Sequence, residues 1–235
     1  MGNEKSGSEQ LLFAELKAKQ RANRDSFPES HGLRVHRALS WLRRAEMAYD
    51  DDDAAFVFWW IEFNAAYARE IERGPLTGAR GEARGSNARK EFEAFFHQVT
   101  ALDTTHRIYD AIWRRFSQSI RLLIDNRYTF DPFWRFQNGD ADSRDWAERF
   151  EGSKRWITSQ LAARHTVGVL TSVFDRLYVV RNQLVHGGAT WNSSVNRAQV
   201  RDGAAILAFL IPIFIDMMMD NPSVDWGPPY YPVVD

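Results

Sequence analysis

Apolar residues return every three or four positions along most of this chain, the spacing that gathers them on one face of an α-helix. The first such stretch, residues 10–24, carries a weak stripe of Leu11, Leu12, Ala14 and Leu16. Pro28-Glu29-Ser30 interrupts it, and a second helix is expected over 31–49. A third, over 54–73, sets Phe56, Trp59, Trp60, Phe63, Tyr67 and Ile71 on one face. Phe58 and Ile61 lie elsewhere on its circumference, so it should be covered on most sides. On the same wheel Glu62 points away from that face, and Asn64 flanks it, where it needs a hydrogen-bond partner. Further helices are expected over 88–101, 104–124 and 143–164, the last with Trp146, Phe150 and Trp156 turned inward. Helices over 166–186 and 196–219 close the series, the second bent at Pro212.

The breaks between helices divide the chain into an N-terminal helix and extension (1–29), a helical domain (30–220) and a Pro-rich strap (221–235). Residues 50–53 are four acids at the head of an apolar helix, which suits the positive end of its dipole. A metal site would spread such ligands around a loop with glycine at the bend. Residues 74–87 are rich in Gly, Pro and Ser and form the least structured interior stretch. Around them Arg73, Arg80, Arg84, Arg89 and Lys90 face a single acid, Glu82. That balance reads equally as a basic arm tracking an RNA backbone and as an ordinary solvated loop. Residues 125–139 read as a loop or short extended excursion whose aromatics, Tyr128, Phe130, Phe133, Trp134 and Phe136, should pack onto the bundle.

The chemistry concentrates at the end of the 166–186 helix, where Arg181, Asn182 and His186 precede Gly187-Gly188, a helix stop. At about 100° per residue, Arg181 falls within the apolar stripe, between Leu177 and Leu184. His186 lies roughly 140° further round, beside Asn182 and in line with Asp175. An arginine on a core-facing stripe costs free energy unless something anionic meets it. The ordinary account is a buried ion pair, with His186 suited to the negative end of the helix.

The Arg-Asn-x-x-x-His-Gly string resembles the motif of HEPN domains, all-α modules whose ribonuclease members carry Arg, a polar residue and then His a few positions on. Two further stretches, 59–67 and 37–42, look like the early helices of bacterial HEPN proteins. The resemblance spans roughly residues 30 to 220 and is weakest in the middle. It implies an all-α, HEPN-like helical bundle with short irregular excursions, and a metal-independent endoribonuclease acting as a homodimer through the 170–186 helix. In that reading Arg181 binds the scissile phosphate and His186 transfers protons, while Asn182 orients His186 or the phosphate. The 2′-hydroxyl attacks and leaves a 2′,3′-cyclic phosphate, in defence, toxin–antitoxin or RNA-processing roles, with an antitoxin or regulatory partner unidentified. The alternatives are a non-catalytic binding or assembly module, in which Arg181 is paired structurally, and a nucleotide sensor clamped by the 73–90 segment. An acid within reach of Arg181 and a sealed His186 would favour the module; an open basic groove holding both would favour the nuclease.

Composition narrows this further. With 9 Trp and 16 Phe in 235 residues, a large core can be buried and a disordered chain is excluded. A net charge of -1 requires any nucleic-acid surface to be local. The absence of cysteine removes disulfides, thiolate zinc sites and cysteine nucleophiles. No phosphate loop or zinc-protease signature occurs, and His31, His36, His97, His106 and His165 share no ligand-like spacing, so no cofactor or metal is expected. The polar start and the shortness of the 203–215 apolar run lead to the expectation of a cytoplasmic protein without a membrane span.

Overall fold

The computed structural model describes residues 10–68, 82–229 and 231, without side-chain detail over 82–88. Among them the chain is all α: α1 Phe13–Asn23, α2 Glu29–Glu46, α3 Asp52–Tyr67, α4 Glu82–Leu102, α5 Arg107–Asp110, α6 Ser117–Ile124, α7 Asp131–Gln137, α8 Trp146–Ala162, α9 Thr166–Val185 and α10 Arg197–Asp220. The region expected as one helix over 104–124 is instead α5 and α6 joined by a π turn at Ala111–Arg115. The expected excursion after residue 125 is mostly helical, a 3-10 turn at Arg127–Thr129 followed by α7. Pro132 near the start of α7 supplies its fixed φ where an N–H would go unpaired anyway.

Helices α2 and α3 form an antiparallel hairpin. Trp41 stacks on Phe58 at 6.0 Å, and the Arg44 guanidinium stands 4.2 Å from the same ring. Arg34, almost wholly buried, donates to the carbonyl oxygens of Ala66 (2.8 Å) and Ala68 (2.9 Å) at the end of α3, and to Pro228 (2.9 Å). One guanidinium thereby satisfies the open carbonyls of a helix end and fastens the C-terminal strap over it. Asp216 of α10 accepts from Lys19 of α1 (2.6 Å) and Arg107 of α5 (2.7 Å), so an acid in an otherwise apolar helix ties two neighbours to it.

Helix α9 lies at the centre, against α3, α4, α6, α8 and α10. Val167 through Phe174, then Arg176, Leu177, Val179 and Val180, are buried. Phe174 meets Phe63 at 4.5 Å and Phe96 at 4.8 Å, and Phe63 reaches Phe92 at 5.6 Å, so aromatic rings join α3, α4 and α9. Helix α10 is long and apolar enough to cross a bilayer, but 78% of its most apolar window is buried inside the protein, which accounts for that composition. Gly203 is where α10 comes closest to its neighbours: a Cβ there would stand 2.7 Å from the Phe56 ring and 2.8 Å from Leu177.

Two side chains depart from the helical-wheel reading. Trp156, expected inward, is 42% exposed. Glu62, expected to point away from the core, is completely buried, and neither carboxylate oxygen has a hydrogen-bond partner. Helix α3 has no exposed residue, and its most open stripe, through Ala54, Val57, Phe58, Ile61, Asn64 and Ala65, is partly covered; Glu62 lies outside that stripe. Burial, with Glu46 adding to it, holds the Glu62 carboxyl well above the usual range. His31 is a core histidine: burial and then Arg34 push it down to about 4, and it stands edge-on to Phe27.

Two stability predictions follow. A Gly203→Ala substitution should lower unfolding free energy by about 1–3 kcal/mol, because the extra methyl overpacks two buried neighbours; an unchanged urea midpoint would contradict that packing. Glu62 keeps a proton that the unfolded chain releases in the ordinary glutamate range, so stability is lost as pH rises above that range toward the folded-state value. His31 acts with the opposite sign, since its folded-state value is depressed. Comparison with Glu62→Gln isolates the carboxyl: between about pH 5 and about pH 8 the wild type should lose more stability than the variant. Parallel pH profiles of the two urea midpoints would show that Glu62 does not titrate as its burial requires.

Candidate functional site

Beyond Val180 the central helix leaves the core. Its last residues, Arg181 to Leu184, are half-buried, and Val185 and His186 are exposed. His186 is the C-cap, and Gly187 follows in the left-handed region at φ +70°. That conformation lets the Ala189 N–H close back onto the Gln183 carbonyl (3.0 Å), a glycine-dependent helix stop at the position the sequence marks. Between 170 and 180 every residue of α9 except Asp175 and Tyr178 is buried by the chain itself, so its last turn and the following loop are its more open part.

Arg181 Nη1 donates to Asn182 Oδ1 at 3.0 Å, while its Nε is buried without a partner. Among the described residues no carboxylate forms an ion pair with it. It acts electrostatically on Tyr67: burial holds that phenol well above its usual range, Glu91 and Tyr178 reinforce this, and Arg181 opposes it. Asn182 lies between Arg181 and His186 on the helix surface, and its carboxamide oxygen is engaged with Arg181. Of the roles expected for Asn182, the contact present is with the guanidinium.

The start of α3 meets the end of α9. Asp51 caps α3 by accepting from the Asp53 and Ala54 N–H groups, both at 3.0 Å, and also accepts from Trp191 Nε1 at 3.0 Å. These bonds, that from Ala54 above all, hold Asp51 below the usual carboxylate range. Asp53 accepts from the Asn192 N–H (2.9 Å) and pairs with Arg197 (2.6 Å), so it anchors the 187–196 loop and the first turn of α10. The acid run therefore serves as a helix cap and a loop anchor, and among the described residues no cluster of His, Asp and Glu is arranged to hold a metal. These acids thus lie at the end of the bundle where the loop after His186 passes.

On the other side of α9, Gln183 Nε2 donates to the Tyr128 carbonyl at 2.8 Å, which also accepts from Trp134 Nε1 at 2.8 Å. Gln183 Oε1 accepts from Asn196 at 3.3 Å. Gln183 thus joins the 125–128 segment to the approach of α10. Higher on the helix, Asp175 pairs with Arg89 (3.1 Å), whose guanidinium stands 6.0 Å from the Trp156 ring. Burial pushes Asp175 up to about 6 against the pull of Arg89 and Arg176. Of the expected RNA-binding residues, Arg89 is accordingly committed to this pair and Lys90 is exposed. Arg84 belongs to α4 without side-chain detail, and Arg73 and Arg80 lie outside the described residues.

Apolar side chains gather at this end. Tyr49 (88% exposed), Val195 (81%) and Trp191 (70%) are joined by Met47, Leu12 and Val185. Leu12 precedes Phe13, whose N–H donates to Glu46 at the end of α2, and Trp191 is fixed to Asp51, so these side chains surround the α2–α3 turn and the end of α9.

Comparison with protein-family models, with curated proteins and with solved structures gives no match. Helical spacing alone does not single out Gln183, Asp53, Arg197 or Trp191, because their partners are 13 to 144 positions away in the chain. Asp53→Ala should cost about 2 kcal/mol, the loss of charge-assisted hydrogen bonds at a largely buried acid. It should also speed amide exchange over 187–196, and unchanged exchange there would mean that Asp53 does not hold the loop.

Proposed function

We propose that this chain is a HEPN-like, metal-independent endoribonuclease working as a two-fold dimer. The observation that carries this reading is the state of the two motif residues: Arg181 has no carboxylate partner among the described residues, and His186 stands open to solvent at the helix end. A cation with no ion-paired acid among the described residues suits the binding of a phosphate, and an accessible imidazole suits proton transfer. Asn182 holds the guanidinium and acts as a positioning residue.

In the reaction, the 2′-hydroxyl oxygen attacks the adjacent phosphorus as its proton passes to a base. The 5′-oxygen leaves with a proton from an acid, and Arg181 stabilises the extra charge on the phosphorane. One subunit offers one His186. Across a two-fold axis, His186 of the partner subunit would supply the second proton-transfer group. The exposed apolar side chains at the α2–α3 turn and the 187–196 loop favour such an axis, since apolar side chains left in water at one end of a bundle are candidates for an interface. Arg73, Arg80, Arg84 and Lys90 would add RNA affinity without chemistry, and the protein is taken to act in the cytoplasm. Asp51, Asp52 and Asp53 at the same end favour the second reading, a non-catalytic assembly module, because acids there oppose an RNA backbone.

Single-stranded RNA incubated with the protein in excess EDTA should be cut, leaving a 2′,3′-cyclic phosphate, and a 2′-deoxy nucleotide at the cleavage position should be inert. His186→Ala should lower the rate about 100- to 10,000-fold with helicity unchanged, as expected on removing a general acid–base group. Equal rates for wild type and variant, or no cleavage by either, would leave only the assembly module. Separately, Tyr49→Glu combined with Val195→Glu should convert a dimer in light scattering into a monomer with lowered cleavage. A monomeric wild type would rule out the shared site.

A further inference from the structure

A cavity of about 520 Å³ opens beside the motif helix, between α6, the 125–128 segment, α8 and the first turns of α10. Its base is apolar: Leu123, Phe150 and Ile206 line it and are all buried. Tyr128 and Leu122, both exposed, form the outer wall. The polar groups around it are the carboxylates of Asp125 and Asp202, the amides of Asn126 and Gln199 and the hydroxyl of Ser119; Asp202 Oδ1 accepts from the exposed Arg201 guanidinium (3.1 Å), which leaves Oδ2 for a ligand. Arg127 also lines the cavity, but its guanidinium is laid against the Tyr128 and Phe133 rings, at 5.1 and 5.7 Å.

These features select a ligand class. Two acids and one ring-bound arginine disfavour a phosphate in the cavity. An apolar slot with an aromatic wall suits a flat ring, and carboxylates at its rim ask for N–H donors on that ring's edge. The volume falls in the range of small-molecule sites. The position matters as much: Gln183, on the side of α9 away from Arg181, donates to the Tyr128 carbonyl of one wall and accepts from Asn196 at the approach to the other. The cavity and the motif are therefore held in register by a side chain of the motif helix itself.

The geometry points to this cavity as a nucleobase subsite that takes an amine-bearing base of the RNA strand, adenine, cytosine or guanine, on the side of α9 away from Arg181. The proposal rests on the ribonuclease reading and adds a base preference to it. Uracil carries no exocyclic amine and leaves one carboxylate without a donor. Gln183 is a positioning residue for this subsite.

The test uses trinucleotides of a single base with 2′-deoxyribose throughout, which cannot be cleaved by 2′-hydroxyl attack, titrated calorimetrically into the full chain. The adenine, cytosine and guanine forms should bind about ten- to a hundredfold more tightly than the uracil form, the effect of one charge-assisted hydrogen bond. Ala198→Trp fills the cavity from an exposed position on the first turn of α10 and should erase the preference, with helicity and urea midpoint unchanged. Asp202→Asn, which turns an acceptor-only group into a mixed one, should reduce it. Equal binding of all four, no binding, or a preference that survives Ala198→Trp would overturn the proposal. Cleavage of all-ribose RNA is assayed in parallel. Cutting without base preference keeps the nuclease and removes the subsite; preference without cutting keeps the base site and removes the nuclease.

Discussion

The arrangement depends on the enclosure of α9 by aromatic rings. Phe174 of that helix contacts Phe63 of α3 and Phe96 of α4, and Phe214 of α10 lies within 6.4 Å. Ring on ring contact of this kind buries large areas and fixes orientation as well as distance. Because the rings come from helices on several sides of α9, its axis is fixed from several sides. Whatever projects from its last turn is then aimed by the core. Arg181 and His186 need no loop to place them; Gly187 only has to stop the helix at the right residue.

The amount of this that the sequence discloses differs by element. Helical periodicity finds α2, α3, α8, α9 and α10, because each presents a stripe long enough to register. It misses the π turn at Ala111–Arg115 and the helical character of α7, because neither segment is long enough to carry a period. It misplaces Glu62 for a different reason: a wheel assigns one face to the core, while α3 has α2, α10, α9 and α4 around it. Its partly open stripe runs through Ala54, Val57, Ile61 and Asn64, and Glu62 falls outside it. Trp156 is the converse case, an aromatic at a core-like spacing that serves instead as a surface partner of Arg89.

Within the candidate site, the legible part was the local part. Arg181, Asn182, His186 and the glycine stop are close in sequence and read as a unit. The bonds that set their surroundings join Asp53 to Arg197, Asp51 to Trp191 and Gln183 to Tyr128. Nothing in spacing marks such pairs, since either member is an ordinary surface residue until the fold brings it to the other. The acid run shows this well. It reads as dipole compensation, which Asp51 does provide, but Asp53 also reaches across the end of the bundle to hold a loop.

Arg34 has a consequence for how the protein is made. Its guanidinium bonds carbonyls at Ala66 and Ala68 and, 194 positions away in the chain, at Pro228. During synthesis α2 and α3 leave the ribosome long before the strap does, and before α9 and α10, which cover α3. For that interval the hairpin carries a buried-type cation with only part of its acceptors and an aromatic face with nothing upon it. The native contacts of the early helices are therefore completed only when the last helices arrive, and until then Trp59, Trp60 and Phe63 lack the partners that cover them, a state prone to association. A fold whose central helix comes late in the sequence demands protection from the cell in proportion to that delay.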